Sequence, residues 1–148
     1  MHNKILMIDD DADDAQIFEE ALLEMDASLV FYRAWDGQEA LDILHQNKIE
    51  EPDIIFLDVN MPGMNGWQFL KRIKEDTSYK HIPVIVYSTA SLQREASIAE
   101  DLGALGFLTK PHDFKDVKQI AKKITEHLHG DLPKLGEWCR ELALNKPL

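Results

Sequence analysis

Pro52-Asp53-Ile54-Ile55-Phe56-Leu57-Asp58-Val59-Asn60-Met61-Pro62-Gly63-Met64-Asn65-Gly66-Trp67-Gln68-Phe69-Leu70 decides the fold. Ile54 to Leu57 is apolar at every position, the pattern of a strand covered on both faces in a parallel sheet. Pro52 opens that strand and Asp58 closes it. The run Met61 to Gly66 is turn chemistry, and Phe69, Leu70 and Ile73 then recur at helical spacing, which predicts a helix from about Trp67 to Glu75. A buried strand, a short turn and an amphipathic helix make one βα unit.

The same unit recurs on either side. Lys4 to Ile8 is a buried strand, followed by a helix over Ala12 to Met25 with Ile17, Phe18, Ala21, Leu22 and Met25 at helical spacing. Leu29 to Ala34 is a second strand and Gln38 to Asn47 a second helix, with Ala40, Leu41 and Leu44 inward. Val84 to Tyr87, entered through Pro83, is the fourth strand; Ser91 is placed to cap a helix ending at Leu102, with Gly103 at its C-cap. Gly106 to Thr109 is the fifth strand, and Asp113 caps a long helix to about Leu128. Five βα units in succession predict an α/β fold, a doubly wound five-stranded parallel sheet with helices on both faces. This domain is assigned residues 1–129. Gly130 and Pro133 break the rhythm, and Leu132, Leu135, Trp138, Cys139 and Leu142 recur at helical spacing. Residues 130–148 are therefore expected to form a short helical extension that packs on the domain or on a partner copy, too small to be an effector domain.

Composition excludes several classes of function. The 148 residues carry 27 Asp and Glu against 16 Lys and Arg, a formal charge of −11. A chain of this length buries about two-thirds of its unfolded surface, so it folds without disulfides or a structural metal, and its one cysteine, Cys139, permits no internal disulfide. No apolar run approaches the roughly 20 residues of a membrane span. Net negative charge opposes binding to nucleic acid, and the nearest basic group, Lys115, Lys118, Lys122 and Lys123, lies on the solvated face of the fifth helix. Low cysteine usage and an N-terminus that enters a strand directly predict a cytoplasmic protein. The six histidines show no metal-ligand spacing.

Ligands of open parallel sheets bind beyond the carboxyl ends of the strands. Standing there are Asp9, Asp10 and Asp11 after strand one, Asp58 and Asn60 after strand three, Ser88 and Thr89 after strand four, and Lys110 after strand five. Asp11, Asp13 and Asp14 are accounted for as charge favoured at a helix N-terminus. Asp9, Asp10 and Asp58 are not, because carboxylates gathered at buried strand ends repel one another unless a cation compensates them. Oxygen ligands make Mg²⁺ the natural occupant, and Lys110 adds a second positive charge. Metal, ammonium and carboxylate together suit a transferring phosphoryl group with a carboxylate as covalent acceptor.

Four blocks, Ile8-Asp9-Asp10, Phe56 through Gly66, Val86-Tyr87-Ser88-Thr89-Ala90 and Leu108-Thr109-Lys110-Pro111, closely resemble the response-regulator receiver domain of two-component signalling, as in single-domain regulators of the chemotaxis type. The resemblance spans roughly Asn3 to Leu128, in the family's order and spacing. It implies the flavodoxin-like strand order 2-1-3-4-5. It further implies Asp58 as phosphoacceptor, Asp10 and Asp58 as Mg²⁺ ligands with the backbone carbonyl of Asn60, and Asp9 acting through a bound water. Ser88 matches the switch hydroxyl, Lys110 the lysine that pairs with the phosphoryl group, and Phe107 the aromatic whose ring turns inward with that hydroxyl. The Lys110-Pro111 bond is expected to be cis. Thr89 stands where the family mostly carries Ala or Gly, and its bulk is expected to slow phosphodonors or water, while Ala90 leaves the other side open.

The implied protein is a stand-alone receiver and not a conventional enzyme. It takes a phosphoryl group from a sensor histidine kinase or phosphotransfer protein and passes the signal to a downstream protein target or through a homodimer. The alternative is a phosphorylation-independent interaction module, against which the complete acceptor, metal and lysine set stands. An aspartyl-nucleophile phosphatase is disfavoured because Asn60 occupies the position of its second, acid-base aspartate.

Overall fold

The computed structural model describes residues 3–61, 63–89 and 93–145. Five strands, β1 (Lys4–Ile8), β2 (Val30–Ala34), β3 (Ile54–Leu57), β4 (Val84–Ser88) and β5 (Gly106–Thr109), alternate with helices α1 (Ala12–Met25), α2 (Gly37–His45), α3 (Gly66–Glu75), α4 (Gln93–Asp101) and α5 (Phe114–Leu128), and α6 (Leu132–Asn145) follows. All neighbouring strands are parallel, in the order β2-β1-β3-β4-β5. This is the flavodoxin-like arrangement with helices on both faces.

Alternation along the buried strands divides the core between the two faces. Ile5, Met7, Phe56, Tyr87 and Leu108 point to the layer of α1 and α5, where Phe18 packs edge-on against Phe56 with ring centroids 4.9 Å apart. Leu6, Ile8, Leu57, Val86 and Phe107 point to the layer of α2, α3 and α4. The α1 stripe is narrower than its apolar spacing predicts. Ala15, Phe18, Ala21 and Leu22 are buried, whereas Ile17 and Met25 are exposed because they stand off the face that meets the sheet. Helix α2 ends at His45, short of the expected Asn47, which adopts a left-handed φ of 54° and cannot continue the helix. The expected N-cap Ser91 and neighbouring Ala90, like Pro62 in the β3–α3 turn, lie outside the described residues.

Caps fix where helices leave the sheet edge. The Asp11 carboxylate accepts from the N–H groups of Asp13 and Asp14, Asp113 accepts from Asp116, and Asn65 and Gln68 form a reciprocal capping box. Helix α3 starts hard against the site. A Cβ on Gly66 would collide with the Asp58 carbonyl oxygen, so the glycine that ends the predicted turn is also a requirement of close approach.

Helix α6 packs on the domain itself. Leu135 and Cys139 are buried in the α1/α5 layer, with Leu132 and Trp138 packed against it. The approach to β5 is close: a Cβ on Gly106 would lie 2.7 Å from the Cβ of Cys139, and one on Gly136 would lie 2.9 Å from the Leu105 carbonyl oxygen.

Candidate functional site

Strand register gathers the predicted residues. Ile8 pairs with Ala34 and with Leu57, Leu57 with Val86, and Ser88 with Thr109, so the chain leaves β1, β3, β4 and β5 at one edge of the sheet. Backbone hydrogen bonds continue the ladder past the strand ends: Asp9 N–H donates to the Ala34 carbonyl (3.0 Å), Asp58 N–H to Ile8 (2.9 Å) and Lys110 N–H to Ser88 (2.8 Å). Asp9 and Asp58 are thus held on sheet backbone rather than on mobile loop.

Carboxylate oxygens of Asp9, Asp10 and Asp58 lie within 4.8 Å of one another, with Asp10 open to solvent and the other two buried. Opposite them, Lys110, its side chain 7% exposed, places its Nζ 2.6 Å from Asp9 Oδ2, 3.0 Å from Asp14 Oδ2 and 3.7 Å from Asp58 Oδ2. Asp58 Oδ1 accepts from the Asn60 N–H at 3.3 Å, and Asn60 Nδ2 donates to the Ser88 hydroxyl oxygen at 3.4 Å. Ser88 is fully buried, and Thr89 beside it is exposed at the rim. Phe107 lies behind this edge, its side chain already in the α4-side core.

The charges respond to that crowding. Burial pushes the Asp9 carboxyl up to about 6, against the opposing pull of Lys110. Burial acts to lower the Lys110 ammonium, but pairing with Asp9, the charge of Asp58 and the hydrogen bond to Asp14 outweigh it and hold the group above its usual range. Tyr87, buried beneath the site with Lys110 6.0 Å from its ring centroid, is raised by burial and by the charges of Asp14 and Asp9.

Two results differ from the expectation. No peptide bond among the described residues is cis, so Lys110–Pro111 is trans. Trans is the lower-energy isomer by about 0.5–1 kcal/mol for an X–Pro bond, and from it Lys110 already reaches both Asp9 and Asp14. The second is Asp14, assigned to the helix N-terminus on sequence and found on Lys110. The signal lay in its spacing: Asp14 stands one turn before Phe18, on the face of α1 that is buried.

An all-oxygen carboxylate donor set of this kind suits a hard divalent cation, and Asp9 Oδ2 is buried without a hydrogen bond of good geometry beyond its ion pair.

The family model for the response regulator receiver domain matches residues 5–122. A curated relative, the protein-glutamate methylesterase/protein-glutamine glutaminase of Trichodesmium erythraeum, is 36% identical over 147 residues, which cover 97% of this chain and 39% of that protein. The chain therefore spans well under half of that relative's length. Among solved structures, the phosphorylated cyanobacterial phytochrome response regulator RcpA superposes with a TM-score of 0.81 at 31% identity, covering 88% of this chain and 96% of that one. The Mn²⁺-bound form of the response regulator Rcp1 superposes with a TM-score of 0.76 at 26% identity, covering 84% and 92% respectively.

Proposed function

The chain belongs to the response regulator receiver domain family, and from that premise we propose that it is a receiver that works in the cytoplasm and is phosphorylated on Asp58. The observation that carries this reading is the convergence of Asp9, Asp10, Asp58 and Lys110 on one sheet edge. The phosphodonor is a sensor histidine kinase or a phosphotransfer protein. A carboxylate oxygen of Asp58 attacks the phosphorus of the donor's phosphohistidine, the P–O bond forms as the P–N bond breaks, and the departing imidazole takes up a proton.

Asp10, Asp58 and the Asn60 carbonyl are the proposed Mg²⁺ ligands, with Asp9 acting through water. Bound there, the ion supplies positive charge against the phosphoryl oxygens and the carboxylate cluster. The Mn²⁺-bound relative supports a divalent occupant. Lys110 neutralises a phosphoryl oxygen from the side of β5. Ser88, now linked to Asn60, turns to donate to the phosphoryl group, and Phe107 follows it in the core. Thr89 narrows access at the rim. The altered surface of α4, β5 and α5 then engages a downstream protein or a second copy of the chain, so the product is a conformational signal and not a released chemical product.

The test is acetyl phosphate with Mg²⁺, read by intact mass, and beryllofluoride with Mg²⁺, read by NMR. Wild type should gain one phosphoryl group and shift resonances around Ser88 and Phe107; Asp58→Asn should do neither. A wild-type protein that shows no Mg²⁺-dependent modification or spectral response would sink the proposal.

A further inference from the structure

We infer that Asp14 is a positioning residue that draws Lys110 away from the acceptor carboxylate and so sets the ease of phosphoryl transfer, an inference that rests on the phosphoacceptor reading above. An ammonium has three donors and no acceptor, and three carboxylates from three parts of the chain compete for it. Asp9 Oδ2 at 2.6 Å and Asp14 Oδ2 at 3.0 Å are within hydrogen-bonding range, whereas Asp58 Oδ2 at 3.7 Å is not. Lys110 therefore rests on Asp9 and Asp14, and Asp58 holds the weakest claim.

Asp9 and Asp14 are not equivalent. Asp9 is fully buried and hydrogen-bonded to the Asp11 N–H, so its hold on Lys110 is tied to the integrity of the sheet edge. Asp14 sits on the first turn of α1 with its side chain 38% exposed, close enough to bind the ammonium and open enough to release it to water. When a phosphoryl group on Asp58 adds oxygens and negative charge nearby, Asp14 is the partner that can give Lys110 up at least cost. Its negative charge also faces the incoming anionic donor through the same lysine. Both effects have one sign: Asp14 holds the unphosphorylated state.

Removing the charge while keeping the shape should favour the anion. Asp14→Asn is expected to lower the half-saturating concentration of acetyl phosphate, and to tighten beryllofluoride binding, by about two- to five-fold, the range of a partly exposed ion pair. Asp14→Glu, which restores the carboxylate, should return both quantities toward wild type, and the Asn variant's advantage should shrink at high salt because part of it is electrostatic. A merely structural role for Asp14 would move the melting midpoint without this pattern. Unchanged or weaker anion binding in Asp14→Asn, or equal behaviour of the Asn and Glu variants, overturns the inference. Wild type and Asp58→Asn run alongside separate the outcomes: an unlabelled wild type defeats the phosphoacceptor reading itself, while a labelled wild type matched by Asp14→Asn defeats only the role of Asp14.

Discussion

Lys110 is the residue on which the site's electrostatics turn. It is buried, as are Asp9 and Asp58, so each charge depends on the others for the solvation it lost. Replacing Lys110 with Met fits the space but strands Asp9 without a cation. In metal-free protein, Lys110→Met should cost about 3 kcal/mol of unfolding free energy by urea titration in EDTA, because breaking a buried pair leaves the full desolvation penalty behind. Adding Asp9→Asn should recover most of that loss. A cost below about 1 kcal/mol, or no recovery in the double variant, would show that Lys110 does not compensate Asp9. Asp9, Asp10, Asp58 and Lys110 were legible because each ends an apolar strand, and parallel register brings strand ends together. Asp14 was not, since a helix N-terminus already gave its charge a sufficient reason. Its spacing one turn before buried Phe18 was the one hint in the sequence, and the three-dimensional reach of Lys110 supplies the second role.

Helix α6 and strand β5 meet through two glycines, and their sign can be decided. In a free helix Gly→Ala stabilises by up to about 1 kcal/mol. At Gly136 the added Cβ meets the Leu105 side chain and, at 2.9 Å, its backbone carbonyl, which cannot swing aside. Gly136→Ala should therefore destabilise, by roughly 1–3 kcal/mol, as overpacking does. Cys139 provides the reporter. Burial pushes its thiol up to about 12, so at pH 8 the native protein holds almost no thiolate, and the sulfur is shielded from reagent as well. Dithionitrobenzoate should label wild-type Cys139 slowly at pH 8 and quickly after denaturation, with Gly136→Ala in between. Fast labelling of the native wild type would mean that α6 is not docked as described. Apolar spacing alone announced α6 as a helix with one buried face. It left open whether that face meets this chain or another copy, because a stripe does not specify its partner; the small residues Gly106 and Gly136 carried that information.

For the molecule as a whole, the question is what α6 adds to a sheet whose five βα units already complete the fold. Leu135 and Cys139 are fully buried, and Leu132 and Trp138 cover the α1/α5 layer beside them, next to the edge strand β5. Chain ending at Gly130 would expose Leu105, Gly106 and the adjoining face of α5. The removed residues, 131–148, contain three acidic side chains (Asp131, Glu137, Glu141) and three basic ones (Lys134, Arg140, Lys146), so the charge of −11 is unchanged and the comparison isolates packing. Two fully buried side chains and two partly buried ones are worth about 4 kcal/mol of apolar burial as an upper estimate. That is a large part of the roughly 5–15 kcal/mol that holds a domain of this size folded. The truncated protein should still fold, unfold at a lower urea midpoint and self-associate through the uncovered face, detected as earlier elution that grows with concentration in size exclusion. An unaltered midpoint with monomeric elution would mean that α6 is an appendage. The expected result makes it part of the domain, and places it against β5 and beside α4 and α5, where any partner reading the state of Asp58 from that surface must also meet α6.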